Sequence, residues 1–439
     1  MALAIGGAVG LYLFLAWLLG VSPHLGGSVQ PALPAADQQK LLADLVKIAL
    51  GLAAGIGAAF ALVVGYRRAR TDEAGSHRDD RRLFSSRYQD AADLIGSDKA
   101  AVRLAGIYAM ARLADDWVEQ RQQCIDVLCA YLRLPYEPDP DTGDLGEREV
   151  RYSVIALISG HLQPSAEPSW RGRLFDFNGA VFDGGDFRGA QFAGGLVIFS
   201  GAEFTGGLVD FSDARFTRGK VEFRGARFTG ATVSFHGARI TGGMVDFAGA
   251  RFTRGTAHFD RAQLTGGTLN FSGAKFTGAT VQFRGAEFAG CEVWFDNAVL
   301  TAGTLAFQRA RFTPDPEFPW NVLAFADMRF TGGTVDFRRA EFAGGSVDFP
   351  NAKFTGSSVD FRQAAFTGGV VDFGRGSSPR DDFRGAEFAG GTMDFDEVVL
   401  YDGGVDFSDT TPGPDSATRL LNLPAASDPH LTLPSWLAS

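Results

Sequence analysis

Residues 204–251 read FTGGLVDFSDAR, FTRGKVEFRGAR, FTGATVSFHGAR and ITGGMVDFAGAR, which are four copies of one 12-residue unit. The unit recurs with little change from about Phe187 to Phe373. A fixed internal period of this kind indicates a solenoid, because a single unit cannot bury its own apolar face and must stack on its neighbours. The sequence therefore predicts a repeat architecture for the larger part of the chain.

Each unit contains two large apolar centres, which are separated alternately by seven and five residues. Alanine lies two residues before one centre, and mostly valine or leucine lies two residues before the other. A period of two with a polar residue between predicts short strands with one apolar side. We expect the residue just before each centre, such as Asp246 or Arg251, to face water. Glycine pairs between the strands supply the positive φ of tight corners.

The length of one coil follows from what its interior must hold. A 12-residue coil has two faces and cannot enclose two phenylalanines together with alanine and valine, whereas a 24-residue coil with four sides can. The longer coil stacks Phe204 on Phe228, and the shorter one would stack Phe204 on Phe216. At one strand spacing per coil, we expect roughly ten coils and a solenoid of about 45–50 Å.

A central phenylalanine or leucine with alanine two residues before it resembles the pentapeptide-repeat family. The likeness is plainest in NGAVFDGGDFRGAQF at residues 178–192. The resemblance implies a right-handed quadrilateral parallel β-helix. The two extra residues in alternate sides depart from the family pattern. The order of two apolar segments, a helical segment and phenylalanine-rich repeats is similar to that of membrane-associated pentapeptide-repeat proteins of actinobacteria, a group to which the resemblance assigns no activity.

The first seventy residues contain two apolar segments. No charged residue occurs from Met1 to Val21, and the run from Ile48 to Tyr66 is followed at once by an arginine cluster. Such lengths suit membrane-spanning helices, and the arginines favour a cytoplasmic side. A cleaved signal peptide is the alternative for the first segment. We predict a first span at 1–22, an external loop at 23–44, a second span at 45–66 and a basic linker at 67–79.

Residues 80–165 change to a period of about 3.6 and predict a small helical module. Its helices are expected after the cap at Ser97 and Asp98, from Trp117 to Leu132 and from Val150 to Leu162, an arrangement that resembles HEAT or armadillo repeats. Trp170 and the end of the last helix are placed to cover the open first coil. The β-helix is predicted over 170–409, and the tail 410–439 is expected to cover its last coil. The fold class is thus α plus β-solenoid.

Motifs for chemistry are absent from the sequence. The six histidines are scattered, the three cysteines form no framework, and no phosphate-binding, acyl-transfer or zinc-protease signature occurs. A net charge of −10 disfavours a nucleic-acid backbone as the main partner. We therefore predict no enzyme, no cofactor and no metal site. Carboxylates outnumber basic residues over 330–409 but are nearly balanced by them over 171–329.

Two insertions interrupt the repeat, TPDPEFPWNVLAF at 313–325 and GRGSSPRDD at 374–382. The first holds Phe318 and Trp320 among three prolines, and these two aromatic residues are the predicted partner contacts. The alternative is that they cover the gap which the insertion opens. The function predicted is a membrane-anchored, cytoplasm-facing scaffold for an unknown protein partner, in a multi-pass protein of the cell membrane. A DNA mimic that acts on topoisomerases is the alternative, an enzyme is the third class, and the oligomeric state stays open.

Overall fold

A computed structural model describes Gly10, Leu13, Phe14, Trp17 and residues 35–138, 145–313, 323–344, 346–373, 387–394, 399–400, 404–407, 410–412, 419–421 and 431–433. The chain divides into two compact units, Met1–Ser86 and Arg87–Ser439.

One helix, α1, runs without a break over Ala35–Ile95. The second predicted span, 45–66, is a section of this helix, which continues through the arginines that follow it. Among the residues that the structure describes, no helix combines the length and the apolar character needed to cross a membrane. The prediction of a two-span hairpin and of multi-pass membrane localisation is therefore wrong. Its physical basis was a separate apolar element, but the apolar run is continuous with charged helical sequence. The first predicted span, 1–22, lies outside the described residues apart from four positions.

Three shorter helices follow, α2 at Ala100–Asp116, α3 at Arg121–Arg133 and α4 at Leu145–His161. All three predicted helices are confirmed, with ends that differ by a few residues. The three helices contact one another. Their shared core consists of fully buried apolar side chains: Ile107, Met110, Ile125, Leu128, Val154 and Ile158.

The rest of the described chain forms two 16-stranded sheets in which the paired strands are parallel. One sheet consists of Val181–Phe182, Gly185–Asp186, Glu203–Phe204, Leu208–Asp210, Arg227–Phe228, Thr232–Ser234, Arg251–Phe252, Thr256–His258, Lys275–Gln282, Val299–Ala306, Arg329–Phe330, Thr334–Asp336, Lys353–Asp360, Glu387–Asp394, Thr411–Pro412 and Arg419–Leu421.

The other sheet consists of Leu174–Asp176, Gln191–Ile198, Arg215–Glu222, Arg239–Asp246, Gln263–Asn270, Glu287–Ala289, Glu292–Trp294, Arg311–Thr313, Leu323–Ala324, Glu341–Phe342, Ser346–Asp348, Ala365–Phe366, Val370–Asp372, Val399–Leu400, Gly404–Asp406 and Leu431–Thr432. Each sheet supplies two of the four walls of a β-solenoid.

The predicted 24-residue register is confirmed. Phe204 pairs with Phe228 and Phe252 with Phe276, and the ring centroids of Phe204 and Phe228 are 4.8 Å apart. Some coils have other lengths, because Phe182 pairs with Phe204 after 22 residues, Leu300 pairs with Phe330 after 30 and Phe354 pairs with Phe388 after 34. The second exception contains the first insertion, so the inserted residues leave the register intact.

Aromatic rings fill the interior of the solenoid in continuous stacks. One stack contains nine rings in a row, with neighbouring centroids 4.6–5.1 Å apart: Phe177, Phe199, Phe223, Phe247, Phe271, Phe295, Phe325, Phe349 and Phe373. These rings define eight steps, and Phe407 adds a further one at 4.9 Å. All of these phenylalanines are buried, as are the alanines and valines two residues before the centres.

The expectation that the residue before each centre faces water holds for Arg251 but is wrong for Asp246. Asp246 is buried, and its burial is compensated by two polar contacts. The side-chain amide of Asn270 on the next coil donates to its carboxylate at 3.0 Å, and the Lys220 ammonium lies 3.3 Å away. The polar column on this wall is therefore partly internal.

The described part of the tail differs from the predicted cover of the last coil. Leu420 pairs with Met393 and Leu431 pairs with Val405, so these tail residues extend the strand ladder.

Candidate interaction surface

The three cysteines are buried and are poor nucleophiles. Burial raises the pKa of the Cys124 thiol to about 11, and it raises the pKa values of Cys129 and Cys291 to about 12. Within the described part of the chain, no group of histidine, cysteine and carboxylate side chains is arranged to hold a metal ion. The outer surface of the solenoid is therefore the candidate for function.

Phe318 and Trp320 lie outside the described residues, so their role as partner contacts stays a prediction. The residues predicted to cover the first coil are described. Trp170 is buried, its Nε1 donates to Asp115 at 2.8 Å, and its ring stacks on His161 at 3.9 Å. The carbonyl of Leu162 accepts the backbone N–H of Gln191 at 2.8 Å. The prediction of a cap made by Trp170 and the end of α4 is confirmed.

A buried arginine joins this cap to the first coil. Arg151 is only 3 % exposed, and its guanidinium donates to the carbonyl oxygens of Leu132 at 2.5 Å and Val181 at 3.2 Å. Glu147 lies 3.8 Å away as its counter-charge. Burial lowers the pKa of Arg151. The guanidinium thus satisfies carbonyls at the end of α3 and in the first coil, which fixes the cap in place.

A neighbouring contact explains why glycine is found at position 184. The hydroxyl of Tyr152 donates to the carbonyl of Asp183 at 3.0 Å, and the Asp183 carboxylate accepts from Tyr136 at 3.0 Å and lies 2.9 Å from Arg148. A Cβ on Gly184 would lie 2.2 Å from the Tyr152 hydroxyl oxygen. Only glycine permits this approach of α4 to the coil. The cap is a satisfied polar network, and we assign it a structural role.

A groove of about 560 Å³ lies on a different part of the surface, at the corner that follows one phenylalanine stack. It spans four successive coils, and its lining consists of the residue after Phe283 and the two residues after each of Phe307, Phe337 and Phe361. We call it the arginine groove: Arg284, Gln308, Arg309, Arg338, Arg339, Arg362 and Gln363.

Two of these arginines are neutralised by aspartates of their own coil. Arg338 donates to both oxygens of Asp336, at 2.9 Å from Nε and 2.6 Å from the terminal nitrogen. Arg362 does the same with Asp360 at 2.9 and 2.6 Å. Burial acts to raise the pKa of Asp336, but the hydrogen bonds from Arg338 outweigh it and lower that pKa. These bidentate pairs are short and well oriented.

The guanidiniums of the other three arginines make no hydrogen bond or ion pair with a carboxylate of the described residues, although Asp260 accepts the backbone N–H of Arg284 at 3.0 Å and the charge of Arg284 helps to lower the pKa of Asp260. Arg284 donates to the neutral amide oxygen of Gln308 at 3.2 Å, and Arg339 donates to that of Gln363 at 2.7 Å. The exposed side chain of Arg309 makes no hydrogen bond or ion pair with a described residue. The glutamines orient two guanidiniums without cancelling their charge. The groove therefore presents three guanidiniums without an ion pair to a described residue on three successive coils, and of these Arg284 has a nearby carboxylate, that of Asp260.

Three of the aspartates that make the distal coils acidic are buried. Asp336 is 4 % exposed, Asp348 1 % and Asp360 8 %. Two of these three carboxylates are also bound by Arg338 and Arg362. These three carboxylates therefore contribute little to the exposed surface of the distal coils.

Sequence reasoning missed the arginine groove, although a signal for it exists. The corner segments read FRG at 283–285, FQR at 307–309, FRR at 337–339 and FRQ at 361–363. Counting strictly by 24 places Arg309 beside Gly333, whereas the structure aligns it with Arg339, since the Arg309 N–H donates to the Arg338 carbonyl at 3.0 Å. Aligning the corners by phenylalanine across the insertion would have revealed the cluster.

Comparison with known proteins supports the architecture. Residues 177–219 and 218–263 match the family described as pentapeptide repeats (9 copies). A search of curated proteins found no match, and a search of solved structures found none. The matched segments lie in the regular coils, so the chain is similar to pentapeptide-repeat proteins in the solenoid that the structure shows.

Proposed function

We propose that the chain is a non-catalytic protein-interaction scaffold whose β-solenoid presents side chains at fixed positions. The observation that carries the proposal is that each coil has a uniform apolar interior and a variable outer surface. The centres form closed aromatic stacks inside, and the residues that vary from coil to coil are on the corners and outer columns. Backbone pairing to the coils on both sides holds these outer residues rigidly, and rigid presentation lowers the entropic cost of binding.

The helical residues and the tail fit this proposal as supporting parts. We propose that residues 80–165 act as a cap and spacer, that 170–409 carry the interaction surfaces and that 410–439 close the distal end. The cap contacts of Trp170 and Arg151 support the first of these roles. A solenoid needs such covers because its terminal coils expose unpaired strands.

Phe318 and Trp320 are proposed as contacts on sequence grounds, because proline-flanked aromatics in an insertion favour an anchoring role. The test uses the immobilised full-length chain and an extract of the cells that produce it. We expect a protein to be retained stoichiometrically and to be lost with Phe318→Ala/Trp320→Ala. Leu208→Ala is the matched control, since Leu208 is an exposed apolar residue on a regular wall.

Two other outcomes are informative. A partner that both variants retain supports the scaffold and places its surface elsewhere. If no protein is retained above the level bound by an unrelated immobilised protein, the scaffold proposal is wrong. Far-UV circular dichroism of each variant verifies that the coils remain folded.

A further inference from the structure

The arginine groove has the chemistry of a binding site for anions. The guanidiniums of Arg309 and Arg339 are not paired with a carboxylate of the described chain, and that of Arg284 hydrogen-bonds to an amide oxygen while the Asp260 carboxylate lies nearby. Guanidinium groups bind carboxylates through two parallel N–H donors, and an open groove leaves those donors accessible. A cavity of about 560 Å³ is also large enough for a short segment of a ligand chain.

The dimensions of the groove favour a peptide. Its lining residues lie on four successive coils, and three steps of about 4.8 Å give a length of about 14 Å. An extended peptide rises about 3.3 Å per residue, so four to five residues, at about that spacing, fill the groove. Alternate side chains of such a peptide point the same way and bring two or three carboxylates to the guanidiniums.

The flanking charges oppose a longer polyanion. Toward the N-terminus, the same two corner columns carry Asp260 beside Arg261, then His236 beside Gly237, then Ser212 beside Asp213, so the run of positive charge does not continue there. A nucleic-acid strand has a phosphate on every nucleotide and would bring negative charge against these aspartates, whereas a peptide can end or carry neutral residues there. The net charge of −10 adds to this repulsion.

We propose that the arginine groove binds a short, extended acidic segment of a partner protein through Arg284, Arg309 and Arg339. This inference rests on the scaffold function and names the chemistry of one partner. Arg338 and Arg362 are already paired with Asp336 and Asp360. These two guanidiniums therefore add less to the affinity for the acidic segment than the other three do. The glutamines hold Arg284 and Arg339 in position before the ligand arrives.

The test measures fluorescence anisotropy of a labelled pentaglutamate peptide with the purified full-length chain. We expect pentaglutamate to bind, pentaglutamine not to bind, and the affinity to fall as salt is raised, because surface ion pairs are screened. The variant Arg309→Ala/Arg339→Ala should bind at least about tenfold more weakly, since tenfold corresponds to the loss of one favourable charged contact. Arg215→Ala/Arg251→Ala removes the same charge from exposed positions outside the groove and should leave affinity within about twofold.

A gain-of-binding variant provides an independent arm. Asp336→Asn keeps the shape of the side chain but removes the nearer of the two carboxylates beside Arg338, the other being Asp360 at 3.4 Å, so pentaglutamate should bind about two- to threefold more tightly. Equal losses in the groove and control variants would show a net-charge effect and overturn the proposal. Tighter binding of an oligothymidylate of five nucleotides than of pentaglutamate would make the groove a nucleic-acid site instead. Absence of pentaglutamate binding at low salt also overturns it, while leaving the scaffold test with cell extract unaffected.

Discussion

Replacing Phe252 by alanine removes a ring from the middle of a stack whose geometry is known on both sides. Phe252 is 1 % exposed, and its ring centroid lies 4.5 Å from that of Phe228 and 5.0 Å from that of Phe276. Large-to-small changes of a buried phenylalanine cost about 3–5 kcal/mol. We expect the upper part of this range, about 4–5 kcal/mol, because the paired coils above and below prevent the cavity from collapsing.

The chain provides its own controls for this change. Leu300 occupies the same column, so Phe252→Leu should be tolerated at a cost below about 1.5 kcal/mol. The adjacent Arg251 is exposed, and Arg251→Ala should cost less than about 0.5 kcal/mol. The side chains of these two neighbouring residues thus differ in expected effect by close to an order of magnitude.

The assay is urea unfolding of the full-length chain followed by far-UV circular dichroism, with hydrogen exchange as a local readout. The amide of Thr253, which donates to the Phe228 carbonyl at 3.0 Å, should exchange faster in Phe252→Ala. A loss below about 1 kcal/mol for Phe252→Ala would refute the argument that the ring is held in a close-packed column. An equal loss for Arg251→Ala would refute the assignment of inner and outer faces.

Three further predictions concern the cap and the thiols. Gly184→Ala drives a Cβ into the Tyr152 hydroxyl and should destabilise the chain by about 1–3 kcal/mol in thermal unfolding. Gly160→Ala is the control, because this helical glycine has open space around it, and the change should stabilise the chain by about 0.5–1 kcal/mol. Equal changes in stability for the two variants would contradict the contact between Gly184 and Tyr152. Arg151→Met keeps the length of the side chain but leaves two buried carbonyls without a donor, so we expect a loss of about 2–4 kcal/mol in urea unfolding, and a wild-type unfolding curve would show that the cap does not depend on this arginine. The raised thiol pKa values of Cys124, Cys129 and Cys291 stabilise the folded state below pH 9, the unfolded value, and this contribution is lost as the pH rises through the folded values of about 11–12. Native protein should therefore resist a thiol reagent at pH 8 and react fully in denaturant. Rapid labelling of the native protein would contradict the burial of the three cysteines.

The repeat architecture could be predicted from sequence because its contacts join residues at a constant separation along the chain. Each coil packs on the coils immediately before and after it, so a residue such as Phe228 meets the equivalent residues Phe204 and Phe252 at a constant separation. The 12-residue period, the inward columns and the 24-residue register all follow from that regularity. The cap was predictable for a related reason, since an open end must be covered and Trp170 is the large apolar residue placed before the first coil.

Other features depend on how distant residues meet, and the period does not encode them. The apolar run at 45–66 suggested an independent span, but its hydropathy alone does not show where the helix around it ends, and α1 continues to Ile95. Asp246 looked like an outward residue until the amide of Asn270 on the next coil was seen to compensate its burial.

The arginine groove shows the same division most clearly. Its arginines are visible in the sequence, but the first insertion shifts the count by six residues, from the regular 24 to the 30 that separate Leu300 from Phe330. Only the stacked coils bring Arg309 next to Arg339 and place aspartates beneath some guanidiniums and not others. The sequence by itself determined that a stack of coils would form, because that depends on repeated nearest-neighbour burial. The tertiary structure decided which charges remain uncompensated, because the charge of a groove depends on side chains from several coils and on the exact register between them.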